Sequence, residues 1–502
     1  MRHLLSSLLL CLSVAMSGST FHIDFSRVGY MWGEKPIPDY PAQVILTPPE
    51  DGSDATALIQ DALNKVKAPG AVLLKAGEYN VFGNLVMERD GVVLRGEGDA
   101  TVLKACGTEK RNLLTLGKDT KRKVGSESVI TDRLTPAGQM WVKVAHPSLF
   151  SVGDRVAIHI YPNDAWISGL KMDRIAQNPT GRVKQWKAFQ YEQCWERVVT
   201  GVKGNKIRLD NPVVMDIDKD YVAYAVLEHV AWDRTFGCGV ENIRMVSDYD
   251  STVVMVKSSG KYKGVEYRAD EKHCWSAINI LSAEHCWIRN ITSFHFGFSL
   301  VSMQAGAKNI TVRDCVSKDP ISELRGSRRY AFYMSDCELC LVERCRAEYD
   351  RHGFVTGSNA PGPNVFLDCE MSKALSDMGP HHRWASGVLY DCCITDSLLA
   401  VQDRAGWGTG HGWAGVNFVF WNCVAETIIC QSPWITGKNW CIGCKGKKLQ
   451  GRKYADGIVR PDGEWQSHGT HVEPMSLYRT QLSMRKESVT GTPGLSLPFY
   501  PF

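Results

Sequence analysis

The chain has 502 residues, 44% hydrophobic and 22% charged, a composition that supports a large buried core and excludes a disordered chain. Its formal net charge is +4, so gross charge gives no reason to expect a nucleic-acid partner and any electrostatic argument rests on local clusters. Length alone suggests several domains, but repeat architectures grow along one axis and escape that rule.

The first residues read as an export signal. Arg2 and His3 precede a mostly apolar run from Leu4 to Val14, and Ala15-Met16-Ser17 supplies the small residues that a signal peptidase requires. Residues 1–17 are therefore the expected signal peptide, cleaved near Ser17 and Gly18, and the expected location is secreted or periplasmic. The run is short for a bilayer span, and no later stretch reads as transmembrane. Residues 18–49, with Pro36, Pro38 and Pro41, read as a loose leader. Then Asp54 or Thr56 caps a helix whose apolar face is Ala55, Leu58, Ile59, Ala62 and Leu63. Gly70 ends that unit, Ala71 to Leu74 form a buried strand, and Ala76-Gly77-Glu78-Tyr79 form a tight corner. Val92-Val93-Leu94 run as a further strand into Arg95-Gly96-Glu97-Gly98.

This stretch resembles the N-terminal cap and first coils of the pectate-lyase superfamily. The resemblance is carried by Asp51-Gly52 ahead of Asp54 and Thr56, by Ile59-Gln60 in the cap helix, by the Gly77-x-Tyr79 corner and by Leu94-x-Gly96-x-Gly98. Lys75 stands where the family has proline. The match is close over residues 50–105 and architectural over 235–446. It implies an all-β fold, a right-handed parallel β-helix solenoid with an N-terminal cap helix. The family includes polysaccharide lyases, glycosidases, epimerases and phage tailspikes, so it implies the fold more narrowly than the chemistry.

Residues 125–230 break the coil pattern. Trp141 to Val144, Val152 to Ile158 and Lys206 to Asp210 read as antiparallel strands, a β-rich insertion expected to flank the groove. Its Trp166, Trp186 and Trp195 are either core residues or faces for stacking on sugar rings. The repeat resumes over 231–446, after cap and first coils at 50–124, and 447–502 is expected to pack on the helix as a tail. Anchors at Ile291, Cys315, Cys345, Cys369, Cys392, Cys423 and Cys444 lie 24, 30, 24, 23, 31 and 21 residues apart. Short coils that bury one shared core explain that spacing, and the leucine-rich and propeller patterns do not. The 17 cysteines then read as a buried thiol ladder rather than a disulfide framework, and Cys337/Cys340 and Cys441/Cys444 as rungs rather than zinc ligands. One further strand per coil is expected, at 297–303, 331–336, 353–357, 383–387, 399–403 and 428–432.

The unusual polar residues gather along that second strand. Stacked coils, about 4.8 Å apart, would bring Arg329-Tyr330, Arg351-His352 and His381-His382-Arg383 together, followed by Gln402, Asp403, Arg404, Trp407 and His411. Arginine forks match carboxylates, so the expected partner is an acidic, uronate-containing polysaccharide. In a uronate the carboxyl group acidifies the C5 proton. Neutralising that carboxylate and supplying a base gives β-elimination. The catalytic candidates are His352, His382, Arg383 and Tyr330. Arg329, Arg351, Arg404, His381, Gln402, His411 and Trp407 are the candidate substrate-binding residues. Three other readings stay open: a glycoside hydrolase using paired carboxyls from Asp377, Asp396 and Asp403, a uronate C5-epimerase, and a non-catalytic glycan-binding β-helix. No metal ligand set is evident and no cofactor is certain. Aspartates in stacked turns would suit Ca2+, but there is no contiguous calcium loop.

Overall fold

A coil that returns on itself every two dozen residues needs sharp corners, and the chain makes one of them with a left-handed residue in each repeat. In the computed structural model, which describes residues 23–179, 181–259 and 261–490, the corner residues are Asn242, Asn290, Asp314, Arg344, Asp368, Cys392, Asn422 and Gly443, all at φ between 50° and 68°. The expected signal peptide lies outside the described residues. Asn, Asp and Gly tolerate this conformation best, and they hold six of the eight corners. The other two corners have partners: Arg344 donates two hydrogen bonds of 2.8 Å to Asp314, the corner residue of the preceding coil, and the Cys392 thiol lies 3.1 Å from Met475 O. Asn290 likewise donates to Asn242, at 2.8 Å.

The residue after each corner points into the core. From Asp314 onward it is Cys315, Cys345, Cys369, Cys393, Cys423 and Cys444, all buried. The ladder residue at the fourth of these positions is thus Cys393, and Cys392, expected as the anchor, is the half-buried corner. Thiols are small enough to stack where a larger side chain would clash with the coils above and below. All sixteen described cysteines are free.

The coils build a right-handed parallel β-helix with three sheets rather than two strands per coil. In the clearest coil, Leu341–Glu343 lies in the first sheet, Arg346–Glu348 in the second across the corner, and Phe354–Thr356 in the third. The strands stack in register, with Val312 on Val342, Phe366, Tyr390, Phe420 and Cys441. These side chains fill the interior with Phe332, Phe354 and Met371; the Phe332 and Phe354 rings stack at 5.0 Å. Each such burial stabilises the fold by about 1.5–3 kcal/mol. The cap helix, Thr56–Lys65, closes one end with Ile59, Ala62 and Leu63, and Asp54 accepts from Thr56 N at 2.9 Å at its start.

Three expectations change. The leader is packed from Ile23 onward, with Ile23, Phe25 and Val28 buried, and Ala42–Leu46 pairs with Gly70–Leu74 as a strand of the first sheet. The insertion is a six-stranded antiparallel sheet whose apolar face covers the outside of the first sheet instead of merely flanking a groove. Ile158, Ile160, Trp195 and Leu227 meet Leu341, Val365, Leu389 and Val419 in a second core. Trp166, Trp186 and Trp195 are all buried there, so they are core residues and not sugar platforms. Finally, residues 383–387 are not a third-sheet strand: Met378 holds that position, bridged to Leu399, while Ala385–Ser386 pairs with Gly415–Val416. No helix among the described residues is long and apolar enough to cross a membrane.

A ladder without cross-links makes a direct prediction. Thiol titration of denatured, unreduced protein should find all sixteen described cysteines reactive. A count several thiols short would contradict the ladder.

Candidate active site

The third-sheet shift decides which polar residues meet. Tyr330 and His352 each precede a third-sheet strand, and those strands pair Phe332 to Phe354, so the two rings lie 5.1 Å apart, edge to face. His381 follows Met378 instead, running beside Phe354–Thr356 through His381 N to Thr356 O at 3.0 Å. The loop after Val401 carries Arg404, Trp407 and His411 over the same spot, where Arg383 N donates to His411 O at 3.2 Å. The outcome is four imidazoles in one patch: His352 to His381 at 4.7 Å, His381 to His411 at 4.9 Å, His381 to His382 at 5.0 Å and His382 to His411 at 5.1 Å between ring centres.

The patch has a buried layer and a half-buried one. Below, His352 is 1% exposed and donates from Nδ1 to the Asp377 main-chain oxygen at 2.8 Å, which leaves Nε2 as an acceptor without a protein partner. Burial pushes its pKa down to about 3, with Arg351 and Arg404 adding to the effect and Asp377 opposing it. Arg404, also buried, reaches Asp377 Oδ1 at 3.0 Å, His381 O at 3.1 Å and His381 Nδ1 at 3.4 Å. A guanidinium only donates, so His381 Nδ1 accepts and its Nε2–H donates to Tyr330 Oη at 3.1 Å. Burial holds the Tyr330 phenol above its ordinary value, so it keeps its proton at neutral pH. Burial also opposes the charge on Asp377, but Arg404 and His352 outweigh it and hold that carboxyl below its usual range.

Above lie His382 and His411, half-buried, each with an Nδ1 that has no protein partner. Burial, helped by neighbouring cations, brings His382 down to about 4 and His411 to about 2; His381 falls well below its ordinary value for the same reason. All four imidazoles are therefore neutral near pH 7. The rim is formed by Arg383, held to Thr409 Oγ1 at 2.6 Å, and by Trp407, whose ring lies near the guanidinium groups of Arg404 (4.7 Å) and Arg452 (5.7 Å).

Several candidates point elsewhere. Arg329 is 4% exposed and donates to Ser322 O at 2.8 Å; it lines a separate cavity of about 350 Å3 with Lys257, Tyr267 and Asp319. Arg351 donates to Arg325 O at 2.6 Å but stays close enough to the patch for its charge to act on Tyr330 and His352. Gln402 is buried. Among the aspartates, Asp396 is exposed and accepts from Lys373 N and Ala374 N, and Asp403 is paired with Arg460 at 2.8 Å. Asp377 is tied to Arg404, so the three carboxyls do not face one another across a cleft. The sequence reading missed Arg452 and Asn178; the insertion, expected to flank the groove, walls the patch, with Asn178 Nδ2 donating to Gly406 O at 2.7 Å and Trp186 Nε1 to Gly410 O at 3.2 Å. Nothing in their local sequence marks these residues, because only the coil stacking brings them in.

No protein-family model matches the chain, and no curated protein matches it in sequence. Solved structures match it in fold. A tailspike protein from Pseudomonas phage LKA1 is 13% identical over 79% of this chain and 56% of its own, with a TM-score of 0.42. A polygalacturonase from Erwinia carotovora ssp. carotovora is 12% identical over 88% of this chain and 99% of its own, at 0.37. The catalytic domain of an alpha-1,3-glucanase in complex with nigerose is 10% identical over 88% and 69%, at 0.38. The chain thus spans little more than half the length of the tailspike.

The depressed histidines set a pH dependence. As pH falls below about 6.5, the unfolded chain takes up protons that the folded patch refuses until about 4 or lower. The stability these groups contribute is complete above that upper value and is lost on acidification. The thermal midpoint should fall between pH 6.5 and 5, and fall less steeply in a His382→Ala/His411→Ala double variant. Identical slopes would mean that the imidazoles are not held neutral.

Proposed function

We propose that this protein is a carbohydrate-active enzyme that cleaves an acidic, uronate-containing polysaccharide by β-elimination. One observation carries the reading: neutral, half-buried imidazoles lie beside an arginine rim, and Asp377, Asp396 and Asp403 form no facing pair of free carboxyls. A glycoside hydrolase needs two such carboxyls flanking the scissile bond, and Asp377, Asp396 and Asp403 are each engaged elsewhere.

In this mechanism the uronate carboxylate binds Arg383, which neutralises it and stabilises the enolate that develops at C5. The bound anion also raises the basicity of the adjacent imidazole. His382 takes the C5 proton at Nε2, the ring nitrogen that is not enclosed. The C5 electron pair forms the C4–C5 double bond as the C4–O bond breaks, and the His382 imidazolium gives its proton to the leaving oxygen. Tyr330, 4% exposed, and His352 act below as positioning residues: Tyr330 with Arg404 fixes the tautomer of His381, the His352 ring packs against it, and the His382 and His411 rings pack on its other sides. This moves His352 and Tyr330 from the direct roles expected of them. An epimerase would share the proton abstraction and return the proton to the opposite face.

The test is incubation with acidic and neutral polysaccharides, following the ultraviolet absorbance of unsaturated uronates together with reducing ends. Both should rise on an acidic substrate. Reducing ends alone would overturn the elimination and favour hydrolysis. His382→Ala should lower turnover by about 10²–10⁴-fold with an unchanged far-UV spectrum, while Asp396→Asn should leave turnover near wild type. Arg383→Ala should raise KM for acidic substrate as well as lower the rate.

A further inference from the structure

The insertion sheet has two faces. Ile158, Ile160, Trp195 and Leu227 turn toward the second core. Alternation along the same strands puts His159, Cys194 and Glu228 on the opposite face. His159 pairs directly with Cys194 across one ladder, and Glu228 pairs with Ala157, two residues along, across the other. One ligand atom from each of His159, Cys194 and Glu228 lies within 4.8 Å of the other two, and no other group of three His, Cys, Asp or Glu among the described residues comes as close. The four-imidazole patch does not reach this density.

Two independent features point at a ligand. Glu228 is 3% exposed, yet its Oε1, the atom aimed at His159 Nδ1 from 3.3 Å, has no hydrogen-bond partner. A buried carboxylate oxygen met only by a guanidinium 3.8 Å away, without a hydrogen bond, is incompletely compensated. On the other side of the ring, His159 Nε2 lies 3.2 Å from the Glu192 carboxylate. A carboxylate accepts, so Nε2 carries the proton, and the Nδ1 lone pair is directed at Glu228 and Tyr161 Oη, 2.9 Å away. A carboxylate that orients an imidazole so that its other nitrogen, here accepting from the Tyr161 hydroxyl, faces a thiol and a second carboxylate is the arrangement that second-shell residues impose on metal-binding histidines. The positive charge now nearest is Arg122, against Cys194 Sγ and 3.8 Å from Glu228 Oε1. It enters from the solvent side, its side chain 22% exposed.

We propose that His159 Nδ1, Cys194 Sγ and the Glu228 carboxylate form a binding site for a zinc-class divalent cation, with Glu192 as the orienting partner and Arg122 as the cation it displaces. One sulfur, one nitrogen and one oxygen suit tetrahedral Zn2+ and not the all-oxygen shells of Ca2+ or Mg2+. Bond lengths of about 2.0–2.3 Å require the three donors to draw together by roughly an ångström, within reach of side-chain rotation. Three strands of the insertion would then be tied at one point. That point borders the ion pairs Glu196–Arg234 and Glu196–Lys308, which join the insertion to the coils, so the metal is placed to stabilise that junction. The proposal does not depend on the elimination reaction.

The full chain, stripped with chelator, should be titrated with Zn2+ by calorimetry and with Co2+ by absorption spectroscopy. The expected result is one equivalent bound, with a sulfur-to-cobalt charge-transfer band in the near ultraviolet. Cys194→Ser should abolish the band, and His159→Ala and Glu228→Gln should each weaken binding at least tenfold. Glu228→Gln, nearly isosteric, covers the case in which Cys194→Ser fails to fold. Arg122→Ala should tighten binding, because it removes the competing cation, and His382→Ala/His411→Ala should leave it unchanged. Absence of the band, or stoichiometric binding that survives in His159→Ala/Cys194→Ser, would overturn the site.

Discussion

The left-handed corner between the first and second sheets is the constraint on which this structure depends. Each corner fixes where a coil turns, and so which residue enters the core next. Were the corner to slip by one residue, every side chain in the following strand would change face, putting Cys345 outside and Arg346 inside. The corners are locked to one another as well as to their own coils: Arg344 grips Asp314, Asn290 grips Asn242, and Arg479, in the helix Leu477–Thr490, reaches Asp368. The ladder of stacked cysteines and the aromatic stack from Phe332 to Tyr390 follow from that register.

The same register explains why ionisable groups are held in an unfavourable state at one place. Burying four imidazoles and a guanidinium side by side costs solvation, and the fold meets part of that cost by keeping the imidazoles neutral and pairing Arg404 with Asp377. The buried His352 and Tyr330 have little freedom, because their neighbours in the third sheet are core residues on both sides. The half-buried His382 and His411 have more. That division, a fixed lower layer and an accessible upper one, is what a general base on a rigid scaffold requires.

Much of the fold was legible in the sequence because the repeat constrains itself. The cap signature from Asp51 to Gly98, the coil-length spacing and the recurring cysteine all report the same architecture. The error of one position at Cys392 arose because two cysteines stand side by side, and only the backbone tells which one turns the corner. The site was legible as a set of residues and not as a geometry. Tyr330, His352, His381, His382, Arg404 and His411 do meet, but Arg329 turns to another cavity and His381 follows its strand position instead of preceding it. Loop length hides this, since the segment from Ser372 to Ala385 spends its residues on an irregular excursion that no period describes. The insertion was the least legible part. Its antiparallel pairing brings His159, Cys194 and Glu228 together from three separate strands, and its buried tryptophans cannot be told from sugar-stacking ones until the partner surface is known.

The central claim is that the imidazole patch holds the scissile uronate. A crystal structure of the slow His382→Ala variant with a bound acidic oligosaccharide tests it most directly. The account predicts a sugar ring over His411 and Trp407, its carboxylate on Arg383 and its C5 facing the position vacated by the His382 ring. A glycan seated elsewhere, with the patch untouched, would contradict it.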